Sequence, residues 1–281
     1  MKRLLFLILI AGCSKPPEPP AVTREFVDAR GKSVKVAYPP RRIVSIIPST
    51  TELLFAVGAG DQVSGVTTYC DWPPEAKAKP KIGDIVVNYE NLATLRPDVV
   101  VTSWSTTRKA SGEIEAKGFP VFSVEPLNFE DIAASMRKLG ALTGHDAEGE
   151  KAAAALEARV KAVVAAPGLT VYIEHSPEPL GTTGPDTYMG DAVRRAGGRN
   201  IFEGGWHDLI DWETVMARDP EVILIVHDRK TGYESRAGWN NLRAVKNKRV
   251  YFVPKEHYMY PTPRLADGLE EAARIFREKN P

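Results

Sequence analysis

One stretch in the middle of the chain, residues 146–165, constrains the architecture more than any other feature. It has no proline and no glycine beyond Gly149, and it is rich in Ala, Glu, Lys and Leu. These are the strongest helix formers. Leu156, Val160, Val163 and Val164 recur at helical spacing, and Pro167-Gly168 stops the run. The pattern predicts a single helix of about 20 residues and about 30 Å. On either side the chain alternates short apolar strands with short helices, so this helix divides two α/β halves.

The first half opens on Arg24-Glu25-Phe26-Val27 and Ser33-Val34-Lys35-Val36 around a turn at Gly31, the pattern of a hairpin. Residues 42–47 are β-branched and apolar, as in a strand buried on both faces. Ser49-Thr50-Thr51-Glu52 then has the spacing of a capping box, with Gly58 and Gly60 as the stop. Strands follow at 63–66, 99–101 and 121–124. Helices are expected over 111–117 and from Asn128 to Gly144.

After the long helix the pattern restarts. Strands are expected at 171–173, 222–226 and 250–253, and helices over 191–196, 212–218 and 264–279. Strand, helix, strand in repetition is the unit of a parallel sheet. The expected fold class is α/β: two Rossmann-like lobes, 23–144 and 168–281, bridged by one helix within 145–167. At 281 residues the chain suits two lobes of roughly 100–150 residues. A binding cleft is expected between them, and a stiff helical connector should limit hinge motion.

The first 22 residues belong to neither lobe. Met1-Lys2-Arg3 is basic, 4–11 is apolar, and Gly12-Cys13 follows. The apolar run is well short of the roughly 20 residues that span a bilayer, and reads as a secretory signal over 1–12. Ile10-Ala11-Gly12-Cys13 resembles the bacterial lipobox, which implies cleavage before Cys13 and its lipidation. Residues 13–22, with Pro16, Pro17, Pro19 and Pro20, would form an extended tether. The expected location is outside the cytoplasm, anchored to a membrane facing the periplasm or the cell exterior.

Charge and motifs exclude several functions. Basic and acidic residues number 37 and 36, so no net field attracts nucleic acid. There is no Gly-x-Ser-x-Gly, phosphate-binding loop or His-Glu-x-x-His. None of the five histidines pairs with another at ligand spacing, so neither a catalytic set nor a metal site is expected. With Cys13 lipidated, Cys70 has no disulfide partner. It reads as a buried inert thiol, with a catalytic thiol of an extracytoplasmic hydrolase as the remote alternative. The positive signal is aromatic. Tyr69, Trp72, Trp104, Trp206, Tyr258 and Tyr260 fall in predicted loops, and His175 and His207 in predicted cleft loops. Ligands of open α/β sheets bind at the carboxyl ends of strands, where aromatics offer flat, stiff apolar area.

In order along the chain stand Arg42-Ile43-Val44-Ser45, Pro48-Ser49-Thr50-Thr51-Glu52-Leu53-Leu54, Gly58-Ala59-Gly60, Leu95-Arg96-Pro97-Asp98, Ala196-Gly197-Gly198-Arg199-Asn200, and Trp239 with Ala244-Val245-Lys246-Asn247. With these motifs the chain, from about Arg24 onward, resembles the periplasmic-binding-protein family for cobalamin, siderophores and haem (class III solute-binding proteins). The resemblance implies two lobes bridged by a helix, capture of a ligand without chemistry, and delivery to an ABC permease dimer driven by its ATPase. No resident cofactor is implied, and a monomer is expected.

Thr68-Tyr69-Cys70-Asp71-Trp72-Pro73-Pro74 resembles a segment of the cobalamin branch, whose Tyr contacts the corrinoid. By the same resemblance Trp104 and Trp206 would be ligand contacts, and Leu180 stands near the place of a further aromatic. The branch's other first-lobe Trp has no counterpart in Ile85-Val86-Val87. His175, His207 and Tyr258 complete the candidate ligand set. The family also docks each lobe on its permease through one glutamate, and Glu90 and Glu213 match those places. Haem or a ferric siderophore is the alternative ligand. Tyr69, His175 or His207 could ligate haem iron, and Arg108, Arg236 and Arg264 could meet an anionic siderophore.

Overall fold

The structure, a computed structural model, describes residues 22–84, 86–166 and 168–278. The signal segment 1–12, Cys13 and the tether up to residue 21 lie outside the described residues.

The first lobe begins with an antiparallel hairpin of β1 (Thr23–Val27) and β2 (Ser33–Ala37). There follow β3 (Ile43–Ser45), α1 (Pro48–Ala56), β4 (Val63–Val66), α2 (Pro74–Lys77), α3 (Tyr89–Leu95), β5 (Val99–Ser103), α4 (Trp104–Ala116), β6 (Val121–Val124) and α5 (Phe129–Thr143). Its sheet is all parallel in the order β4-β3-β5-β6. Val99, Val100 and Val101 of β5 are fully buried, as a parallel strand covered on both faces requires. Burial of each such side chain contributes roughly 1.5–3 kcal/mol.

Helix α6 (Asp146–Ala162) connects the lobes. It is 17 residues long, about 25 Å, and ends before the 165 expected from composition. Val163 is already extended, so Val163 and Val164 lie beyond the helix. α6 crosses α5 so closely that a Cβ on Gly140 would come within 3.0 Å of the Gly149 Cα. Arg137 of α5 pairs with Glu150 and Glu157 of α6. The other end of α6 is tied to the second lobe through Arg159.

The second lobe holds β7 (Leu169–Pro177), β8 (Leu180–Thr183), α7 (Tyr188–Arg195), β9 (Gly198–Asn200), β10 (Trp206–His207), α8 (Trp212–Arg218), β11 (Val222–Ile225), α9 (Arg243–Lys246), β12 (Val250–Phe252) and α10 (Leu265–Arg277). Arg159 pairs with Asp267 and Glu270 of α10. The sheet runs β10-β8-β7-β11-β12, with β9 beside the start of β7. Here β8 is antiparallel to β7, and β10 to β8, so this sheet is mixed where the first is wholly parallel.

The lobes share one device below their central strands. Helix α3 ends on Arg96 in the left-handed region, and α8 ends on Asp219 in the same way. A proline and an acid follow each: Pro97-Asp98 and Pro220-Glu221. Asp98 accepts the Arg41 and Arg42 amides at 2.8 and 2.9 Å. Glu221 accepts the Thr170 amide at 2.8 Å and its hydroxyl at 3.0 Å. Each acid thus clamps the start of the strand beside its own, and holds that strand's far end in register at the cleft.

Two local expectations are corrected. Ser49 and Glu52 do not form a capping box. Pro48 occupies the first turn, which moves the cap to Ile47, and no side chain caps there. Helix α4 starts at Trp104 rather than near Ser111, so Trp104 is helical and not in a loop. Asn128 does cap α5, accepting the Asp131 amide at 2.8 Å, and Gly144 ends it in the left-handed region.

Candidate ligand-binding cleft

At the cleft end of β3 the buried polar groups are hydroxyls. Ser45 Oγ lies 2.7 Å from Thr50 Oγ1 and 2.8 Å from Thr51 Oγ1. Both threonine hydroxyls also reach the Ile47 carbonyl at 3.1 Å. Beyond β4 the chain turns Tyr69 and Trp72 outward, 54% and 45% exposed. Cys70 between them points inward, buried, with Sγ 3.2 Å from Thr67 Oγ1. That matches an inert packed thiol rather than a nucleophile. Trp104 opens α4 at the carboxyl end of β5 and is half-buried. It lies between Arg30 of the β1–β2 turn and Arg108 one helical turn on, 5.0 and 5.4 Å from its centroid.

In the second lobe Glu174, at the cleft end of the pairing of β7 with β11, is fully buried. Its carboxylate accepts two bonds from Arg236, at 2.6 and 2.8 Å, and lies 3.1 Å from His227 Nε2. The Tyr172 hydroxyl donates to it at 3.2 Å. Burial alone would raise the Glu174 pKa, but Arg236 and His227 outweigh it and hold the carboxyl below its ordinary range.

Beside this network the exposed ring of Trp206 stands edge-on to His175 at 5.2 Å and to Tyr188 at 5.4 Å. Tyr188 is fixed by donating to the Met259 carbonyl at 2.8 Å. Half-buried His175 has its Nε2 2.9 Å from the Thr182 carbonyl, and its burial lowers its pKa. Both histidines sit in strands rather than loops. His207 follows Trp206 in β10 and faces the opposite side, with Nε2 2.8 Å from the Glu203 carbonyl and its ring on Phe202. Leu180 opens β8 and is half-buried. Tyr258 corrects the aromatic reading. It is fully buried and its hydroxyl donates to the Gly268 carbonyl at 2.8 Å. It is a core residue under α10, with no surface for a ligand.

The lobes meet at two ion-paired seams. On one flank Arg264 pairs with Glu52 of α1 and covers the Trp72 ring at 5.0 Å. A groove of about 540 Å³ runs along this seam past Phe55 and Pro263. At a second contact between the lobes Asp191 accepts the Phe129 amide at 3.2 Å, and Arg195 pairs with Glu130. Glu90 and Glu213 are exposed, each in the first turn of a short helix. The same left-handed-proline-acid device anchors both helices.

The structure thus brings Trp206 and His175 together, adds Tyr188, and puts Tyr69 and Trp72 on one outward segment. It turns His207 to the other side of β10 and buries Tyr258 in the core, while Trp104 stands at the carboxyl end of β5, stacked with Arg30 and Arg108. Sequence reasoning missed Glu174, Arg264 with Glu52, and Tyr188. For Glu174 there was a signal: a lone carboxylate closing the apolar run Val171-Tyr172-Ile173, which demands a buried partner. Arg236 and Arg264, raised as partners for an anionic ligand, are each spent on a buried glutamate. Among the described residues, no group of three or more His, Cys, Asp or Glu could hold a metal ion, and no helix is long and apolar enough to cross a membrane.

A family model described as periplasmic binding protein matches residues 43–257, well over half of the chain. A Bacillus subtilis protein described as an uncharacterized ABC transporter substrate-binding lipoprotein is 31% identical over 294 residues, covering 96% of this chain and 93% of that one. A vitamin B12-binding protein of Vibrio cholerae is 25% identical over 250 residues, covering 85% of this chain and 90% of its own. The crystal structure of a periplasmic vitamin B12 binding protein of Vibrio cholerae matches with a TM-score of 0.77 at 24% identity, over 85% of this chain and 97% of that one. At that identity the structural match speaks to the fold.

Proposed function

Given that the chain belongs to the periplasmic binding protein family, the extracytoplasmic substrate-binding proteins of ABC transporters, we propose that it captures cobalamin between its lobes. The observation that carries this reading is the kind of surface left free. Tyr69 and Trp206 present exposed rings, the latter braced by His175 and Tyr188. By contrast Arg236 and Arg264 are neutralised by Glu174 and Glu52. Of the three candidate arginines only Arg108, on the Trp104 ring, is not spent on a buried glutamate, and aromatic faces with so little free cationic charge suit a large macrocycle with an amide rim better than an anionic ferric siderophore. The Nε2 atoms of His175 and His207 are engaged by backbone carbonyls, which disfavours axial ligation of haem by either histidine and leaves Tyr69 as the one candidate iron ligand of the three. The 25% identity to a vitamin B12-binding protein supports the same choice.

Equilibrium dialysis of the full chain against cyanocobalamin tests it. Tyr69→Ala and Trp206→Ala should each weaken binding about tenfold or more, the loss of a buried aromatic anchor. Binding that neither substitution changes would contradict the assignment of the cleft.

The function is capture and hand-over, with no bond made or broken in the ligand. Glu90 and Glu213, one per lobe, would dock the loaded protein on the permease dimer by pairing with basic residues there. Glu90→Gln with Glu213→Gln should leave ligand binding intact and lower ligand uptake by cells; unchanged uptake would sink this role. Cys13 would carry the lipid anchor, so Cys13→Ala should move the protein out of the membrane fraction, and retention there would count against it.

A further inference from the structure

Arg264 leaves the second lobe and holds two parts of the first. Its Nε donates to one oxygen of Glu52 at 2.9 Å, and its Nη2 donates to the other. The side chains are 5% exposed for Glu52 and 19% for Arg264, and 212 positions separate them. The same guanidinium lies over the Trp72 ring. Trp72 is three residues beyond Tyr69 on the segment that leaves β4. One side chain therefore reads both the position of α1 and the course of the segment that presents Tyr69.

The second ion-paired contact between the lobes is built differently. Arg195 meets Glu130, but Glu130 is 69% exposed, and a solvated pair of that kind contributes little. A two-pronged pair with a nearly buried carboxylate is directional, and lysine cannot reproduce both its fork and its stack. Parting the lobes at this seam would withdraw Arg264 from Glu52 and from Trp72 in one movement.

We propose that Arg264 is a positioning residue: from the second lobe it sets the lobe separation and, through Trp72, the conformation of the segment carrying Tyr69. Its consequence for binding rests on the reading of Tyr69 as a ligand contact; its consequence for the ligand-free protein does not.

The test uses the full chain carrying Arg264→Lys, or the charge-free pair Glu52→Gln with Arg264→Gln, which leaves no lone buried charge. Two measurements need no ligand. One is the distance between spin labels at Lys109→Cys and Lys230→Cys, one on each lobe. The other is hydrogen exchange of the amides of 67–72. Both variants should lengthen or broaden the distance, and should speed exchange in 67–72 about tenfold while β3 and β5 stay protected. Unchanged distance and exchange would overturn the proposal, as would faster exchange spread evenly over the first lobe. With cyanocobalamin, both variants should release ligand faster. If the ligand-free changes appear but the unsubstituted protein binds no cyanocobalamin, the positioning role stands and the ligand reading falls.

Discussion

At the end of β3 in the first lobe the buried polar groups are neutral hydroxyls, Ser45, Thr50 and Thr51, all within seven positions of one another. Where the pairing of β7 with β11 ends in the second lobe they are ionic, and Glu174 finds His227 and Arg236 at 53 and 62 positions' remove. The two sheets share the device at their other end, a proline and an acid clamping the start of the first strand. The difference shows what each cleft floor depends on. Hydroxyls can donate and accept, so the first floor closes on itself at the turn into α1. A carboxylate only accepts, so the second floor exists only if the segment from His227 to Arg236 comes back over the sheet. The ionic floor is therefore strong when complete and fragile when broken.

The largest effect should come from breaking that floor. Glu174→Leu leaves Arg236 nearly buried without its partner and should cost about 3–5 kcal/mol in urea unfolding. Adding Arg236→Leu should recover most of it. If the double substitution is as damaging as the single, the second floor is held by packing and the contrast between the lobes fails.

Acid should separate the lobes next. The folded-state pKa of Glu174 lies below its ordinary 4.5, so the group contributes stability above that pH and loses it as pH falls through the depressed value. The hydroxyl floor has no ionisable group, and the clamps Asp98 and Glu221, both held below their ordinary range, act on the two lobes alike. Hydrogen exchange followed below pH 4.5 should show β7 and β11 losing protection before β3 and β5; simultaneous loss would argue against an ionic origin. The smallest effect is expected in the first lobe. Ser45→Ala should cost about 1 kcal/mol, because Thr50 and Thr51 keep the Ile47 carbonyl. A cost near that of Glu174→Leu would erase the distinction.

The same contrast explains what could be read from the sequence. Fully apolar runs such as Val99-Val100-Val101 fix a buried parallel strand whatever surrounds them, and Asn128 and Gly144 bound α5 through groups a few residues away. Those elements were legible. Ser49 and Glu52 matched a local capping pattern, yet Pro48 shifts the helix start and Glu52 is drawn to Arg264, 212 positions on. Weak helix formers at Ser105, Thr106 and Thr107 hid the start of α4, and with it the helical setting of Trp104. Of the candidate site, Tyr69 and Trp206 were legible as rings in turn-rich segments. Tyr258 stood in a similar segment, and only the packing of α10 over it shows that it belongs to the core. Glu174, Arg236 and Arg264 acquire meaning only once distant segments meet.

The proposal of a corrinoid ligand stands or falls most directly on calorimetric titration of the full chain with cyanocobalamin, with haemin and a ferric hydroxamate titrated in parallel. One-to-one binding of cyanocobalamin, tighter than that of the other two, is the expected result. Saturable binding of haemin or the hydroxamate with none of cyanocobalamin would contradict it, and would reassign the exposed rings of Tyr69 and Trp206 to another ligand of the same family.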